Sequence, residues 1–164
     1  MNQGVIYTRG HFERANQISW EDVVKKINRD ETFHKETIEV WRPNLIKLED
    51  STYLPGTIRL AIDEINDELP RMGLRSQNAY MFISYNVAET YGRHRDEENV
   101  LLVQSIGRMS YAFDDGSLCI LDPGDSLYIP SGVYHDPRTI ISDPRVTISL
   151  KIIDDSGNVR AKIN

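Results

Sequence analysis

The sequence predicts a mainly β domain with flanking helices, on three observations. From Asn78 onward, short runs rich in β-branched and aromatic residues alternate with turn residues. The chain before that point carries two stretches with apolar residues at helical spacing. No internal repeat, linker or low-complexity segment divides it. Many short strands at this spacing form an antiparallel sandwich or barrel. With 164 residues there is room for one domain and no second module. We therefore expect a single domain over 1–164, with 1–77 supplying supporting helices and strands and 78–153 the β core.

The elements follow from local chemistry. Residues 1–18 show no clear period, and His11 there reads as a surface histidine. Ser19 can cap a helix whose first turn holds Glu21 and Asp22 and whose apolar face is Val23, Val24 and Ile27, with an end near Asn28. Ile38, Val40 and Trp41 suggest a short strand before Pro43, and His34 nearby is read as structural. After the turn and cap at Pro55, Gly56 and Thr57, Ile58, Ile62, Ile65 and Leu69 form the stripe of a second helix, stopped by Pro70 and Gly73. Its acids Asp63, Glu64, Asp67 and Glu68 read as a solvated face. Strands are then expected at 79–85, 100–104, 109–113, 118–121, 126–129 and 146–153. Turns fall at Asp114 to Gly116, at Asp122 to Asp125 and at Pro130 to Gly132.

Composition narrows the function. The net charge of −6 and pI near 5.2 argue against sequence-independent attraction to nucleic acid, which rests on clustered Lys and Arg. No apolar run is long enough to cross a bilayer, and the first residues lack a signal peptide's apolar core. The lone Cys119 excludes an intramolecular disulfide and fits a reducing cytoplasm. Whether the chain is a monomer or a homodimer is left open.

The chemistry centres on residues 91–96. His94 and Asp96 are two apart in a segment that reads as strand, so both point to one face. With His135 they would give two imidazoles and one carboxylate, a set that leaves open positions on an octahedral ion and is typical of non-haem Fe(II) oxygenases. The run from Gly124 through Pro130 and Gly132 to His135 matches the second cupin motif, whose histidine binds metal. The first cupin motif supplies His-x-His and then a glutamate, whereas this chain has His94 and Asp96 with Val100 at the glutamate's place.

In that departure the chain resembles the double-stranded β-helix oxygenases that use Fe(II) and 2-oxoglutarate, over roughly residues 78–152. The resemblance implies a jelly-roll, cupin-like barrel holding Fe(II) on His94, Asp96 and His135, with 2-oxoglutarate as cosubstrate and O2 as oxidant. It implies hydroxylation of a protein side chain or small molecule with release of succinate and CO2. Arg145 and Thr147 resemble the Arg-x-Ser/Thr after the second histidine, where the arginine pairs with the cosubstrate and the hydroxyl assists; strand parity puts Ser149 on the same face. Tyr85 resembles the tyrosine that prolyl-hydroxylase-like members place on that carboxylate. The run from His94 through Gln104 to Gly107 looks instead like the Jumonji-type hydroxylases, but the position of their cosubstrate Lys or Arg is Met109 here, and Arg108 should face away. Tyr91, Arg93 and residues 136–143 would form a rim or lid. A non-oxidative or ligand-binding metal cupin is the main alternative, and a nucleic-acid dealkylating oxygenase the second.

Overall fold

The computed structural model describes residues 4–42, 45–49, 54–85, 90–139 and 144–154. Among the described residues there are ten strands and two α-helices: β1 (Ile6–Thr8), α1 (Trp20–Phe33), β2 (Ile38–Arg42), β3 (Leu45–Glu49), α2 (Gly56–Glu68), β4 (Leu74–Ser84), β5 (Asn99–Ile106), β6 (Met109–Phe113), β7 (Leu118–Leu121), β8 (Ser126–Ile129), β9 (His135–Thr139) and β10 (Arg145–Asp154). A seven-stranded sheet runs β1-β8-β5-β10-β4-β3-β2, and a three-stranded sheet runs β7-β6-β9; every strand pairing within them is antiparallel. The fold is the cupin-like jelly roll that the sequence predicts.

The large sheet is buried on both faces, and side-chain alternation decides what each face does. Ala79, Met81 and Ile83 of β4, Leu101 and Val103 of β5, and Val146, Ile148, Leu150 and Ile152 of β10 join the helix stripe of Ile58, Ile62 and Ile65 in one core cluster. The intervening residues face the small sheet. There Val100, Leu102, Leu127 and Ile129 meet Met109, Tyr111, Phe113 and Leu121 in a second cluster, which floors the space between the sheets.

Helix α1 begins at Ser19, whose side chain and Asp22 cap each other reciprocally. It does not end near Asn28 but continues to Phe33. The extension holds no apolar stripe; it carries the fully buried Lys26–Asp30 ion pair at 2.8 Å, four residues apart on one face. Helix α2 passes into a short 3-10 turn, Leu69–Met72, closed by Gly73 in a left-handed conformation (φ 69°) that a Cβ would disfavour. Three strands lie outside the expected set. β1 is clamped by the buried Asp125, which accepts from Tyr7 Oη and Gly10 N, both at 2.8 Å. β3 bridges β2 to β4, so β1, β2 and β3 carry the β core well ahead of residue 78. β9 occupies the first part of the segment expected to be a lid; residues 140–143, like 1–3 and Pro43, lie outside the described residues.

Candidate functional site

His94 is not in a strand. Residues 91–98 are irregular, and His94 joins His135 through an isolated antiparallel bridge in which each backbone N donates to the other's carbonyl at 2.9 Å. The predicted sharing of a face by His94 and Asp96 therefore comes from a loop pinned at defined points. Gly132 N donates to Asp96 O at 2.9 Å, Ser131 N to Asn99 Oδ1 at 2.9 Å, and Ser131 Oγ to Glu97 O at 2.6 Å. The turn that delivers His135 thus also holds the segment that carries His94 and Asp96.

The three side chains converge. One ligand atom from each of His94, Asp96 and His135 lies within 4.8 Å of the others, and the two imidazole centroids are 4.4 Å apart. His94 Nε2 is 4.0 Å from Asp96 Oδ1, and His135 Nε2 is 3.6 Å from Asp96 Oδ2. Nδ1 of His94 faces Gly92 O at 2.8 Å and Nδ1 of His135 faces Val133 O at 3.1 Å. A carbonyl only accepts, so each Nδ1 carries a proton, and Nε2 is the atom of each ring left to face a metal. Such backbone bonds orient metal-ligating histidines. Burial pushes the His135 pKa down, which keeps its imidazole neutral and available to ligate. The donor set fits a first-row divalent ion with open positions for further ligands.

The triad lines a pocket of about 410 Å³ between the sheets. Arg145, Thr147, Ser149 and Lys151, alternate residues of β10, lie along it, the first three in register with Ser84, Phe82 and Tyr80 of β4. Arg145 is 3% exposed, and its Nη1 is buried without a hydrogen-bond partner. A buried guanidinium with an unmet donor fits an incoming carboxylate. Burial lowers the Arg145 pKa, and the neighbouring Tyr111 opposes this.

Arg108 is turned away, in an exposed ion pair with Asp122 at 2.6 Å; of the cations lining the pocket, Lys47 and Lys151 are paired with Glu39 and Glu98, and Arg145 is the buried one. Tyr85 is also outside it: it packs on the helix-side core against Trp20, with ring centroids 5.8 Å apart, because its side chain leaves the opposite face of the sheet from Ser84. The phenol beside Arg145 is Tyr111, which is buried and has its pKa raised by desolvation. Sequence reasoning missed it, although it shares strand parity with Met109. At the rim, Arg93 forms a two-point ion pair with Asp114 (2.8 and 2.6 Å) and lies over the Tyr134 ring at 4.0 Å; Tyr91 lines the pocket. His11 is not simply a surface group: its Nδ1 lies 3.1 Å from Ser126 Oγ, and its ring stacks on Phe12 at 4.1 Å.

Fold and site together define a double-stranded β-helix with a His-Asp-His candidate metal centre. No protein-family model and no curated protein matches the chain. Solved structures do. The ribosomal oxygenase YcfD of Escherichia coli, in complex with cobalt and 2-oxoglutarate, aligns at 19% identity and TM-score 0.52 over 66% of this chain and 31% of its own. Its complex with cobalt and succinic acid gives 18% identity and TM-score 0.51 over 69% and 33%. A cupin superfamily protein from Desulfitobacterium hafniense aligns at 14% identity and TM-score 0.47 over 71% and 84%. At these identities the likeness is one of fold, and this chain spans about a third of the length of YcfD. Among the described residues, no helix is long and apolar enough to cross a membrane.

Proposed function

We propose that the chain is an Fe(II)- and 2-oxoglutarate-dependent oxygenase that hydroxylates a protein side chain or small molecule, releasing succinate and CO2. His94, Asp96 and His135 would hold the iron, which when bound supplies the activation of O2. The observation that carries the cosubstrate assignment is the unpartnered Arg145 Nη1, buried in the same pocket as the triad. Arg145 would pair with the distal carboxylate of 2-oxoglutarate and so aim its keto-acid end at the metal. Phe82, Met109 and Val100 in the wall would exclude water. The fold shared with YcfD, whose structure was solved with cobalt and 2-oxoglutarate, supports this reading. The acidic charge balance disfavours nucleic acid as substrate.

The test is calorimetric titration of 2-oxoglutarate into cobalt-loaded protein, followed by succinate formation with Fe(II) and air. Binding is expected for the wild type and should be about 10- to 100-fold weaker in Arg145→Ala, the loss of one charge-assisted contact. Absence of binding at millimolar 2-oxoglutarate would refute the oxygenase assignment and leave a metal-binding cupin.

A further inference from the structure

Behind Thr147 and Arg145 in the pocket wall lies a buried polar network that the proposed function does not use. Gln104 is fully buried on β5 and faces Thr147 across the β5–β10 pair. Its Nε2 donates to two backbone carbonyls, Ile106 O at 2.7 Å and Gly107 O at 3.2 Å. Two acceptors at one end identify that end as the amide nitrogen, so the carbonyl end faces Thr147. Thr147 Oγ1 then donates its single proton to Gln104 Oε1 at 2.8 Å. Tyr111, Arg145 and Thr147 line the same pocket. With its proton committed to Gln104, Thr147 has only acceptor lone pairs left to offer.

The same glutamine braces the backbone behind Arg145. The carbonyls it holds belong to the β5–β6 turn, where Gly107 has φ +67° and where a Cβ would sit 2.7 Å from Pro144 O and 3.1 Å from Arg145 Cβ. The turn therefore lies directly against the segment that launches Arg145.

We infer that Gln104 is the positioning residue of the anion end: by taking the proton of Thr147 and holding the turn against Arg145 it fixes both, and leaves Arg145 Nη1 as the donor for the ligand carboxylate. With its proton on Gln104, the hydroxyl of Thr147 does not donate to that carboxylate. The inference rests on the cosubstrate assignment above, and the two fail in different ways.

The experiment uses the cobalt-loaded full chain and calorimetric titration of 2-oxoglutarate into wild type, Gln104→Met, Thr147→Val, the double variant and Thr147→Ser, with melting curves as a check on folding. Gln104→Met and Thr147→Val should each weaken binding about tenfold, and the double variant should be no weaker than either single one, because both break one chain of hydrogen bonds. Thr147→Ser, which keeps the hydroxyl, should bind like the wild type. Cobalt affinity should be the same in all five, and in turnover KM for 2-oxoglutarate should rise with kcat held. Additive losses in the double variant, or cobalt affinity falling in parallel, would show a merely structural role and overturn the inference. So would wild-type affinity in Gln104→Met. If Gln104→Met melts below the assay temperature, Thr147→Val against Thr147→Ser decides, and equal affinities overturn it. No binding to the wild type removes the cosubstrate assignment and this inference together.

Discussion

Asp96 is the only anion among the three converging side chains, and the two imidazoles turn their Nε2 atoms to it. Removing it leaves two neutral donors for a doubly charged ion. We expect Asp96→Ala and His135→Ala each to weaken cobalt binding by at least about a hundredfold in calorimetry, since even outer-shell partners cost 10- to 100-fold. The far-ultraviolet circular dichroism of Asp96→Ala should be unchanged, because the bond that pins this loop uses the backbone oxygen of Asp96 and not its carboxylate. The triad was legible in the sequence because His and Asp are the residue types that metal chemistry needs, and because the turn from Gly124 to His135 has a recognisable spacing. Tyr111 was not legible. A tyrosine in a strand normally reads as core, and only the packing of the two sheets, which puts it in the pocket lining with Arg145, shows otherwise.

The elements show the same division. Helix α1 announces itself through Ser19 and Asp22, each of which satisfies the other's backbone N–H. Ser19→Ala should lower stability by about 1 kcal/mol in urea denaturation, with no change in the dependence on denaturant. The end of α1 was hidden, because its last turns are carried by the buried Lys26–Asp30 pair and not by apolar residues. β9 was hidden by Pro137, which demotes a strand in sequence but is tolerated here because β9 is an edge of the small sheet. β1 has only three residues and is held by Asp125, over a hundred positions away, so no local pattern could reveal it. β10 was found, but its alternation of Arg145, Thr147, Ser149 and Lys151 with Val146, Ile148, Leu150 and Ile152 suits an edge strand equally well. Its polar face turns out to be buried in the pocket.

At the scale of the molecule, the two-layer burial has a consequence at alkaline pH. Desolvation, with a smaller push from Asp125, raises the Cys119 thiol from 9.0 to about 11, and desolvation raises the Tyr128 phenol from 10.0 to about 12. Both groups are mostly neutral in the folded and the unfolded chain below about pH 8. Above it the unfolded chain releases protons first, which favours unfolding by up to about 1.4 kcal/mol per group and pH unit. These two groups should therefore leave the melting temperature level from pH 7 to about 8 and lower it between about pH 8 and 12. Cys119 should resist alkylation at pH 8 until the protein is unfolded.

The bridge between His94 and His135 joins an irregular connection to the first residue of an edge strand by two backbone hydrogen bonds. An ion held by both imidazoles would fasten the same two segments a second time, through side chains. It would act as a removable rivet, closing the stretch of chain from His94 to His135, through β5, β6, β7 and β8, and stabilising the folded state by its binding. Metal content would then set the mechanical closure of the barrel mouth as well as its chemistry.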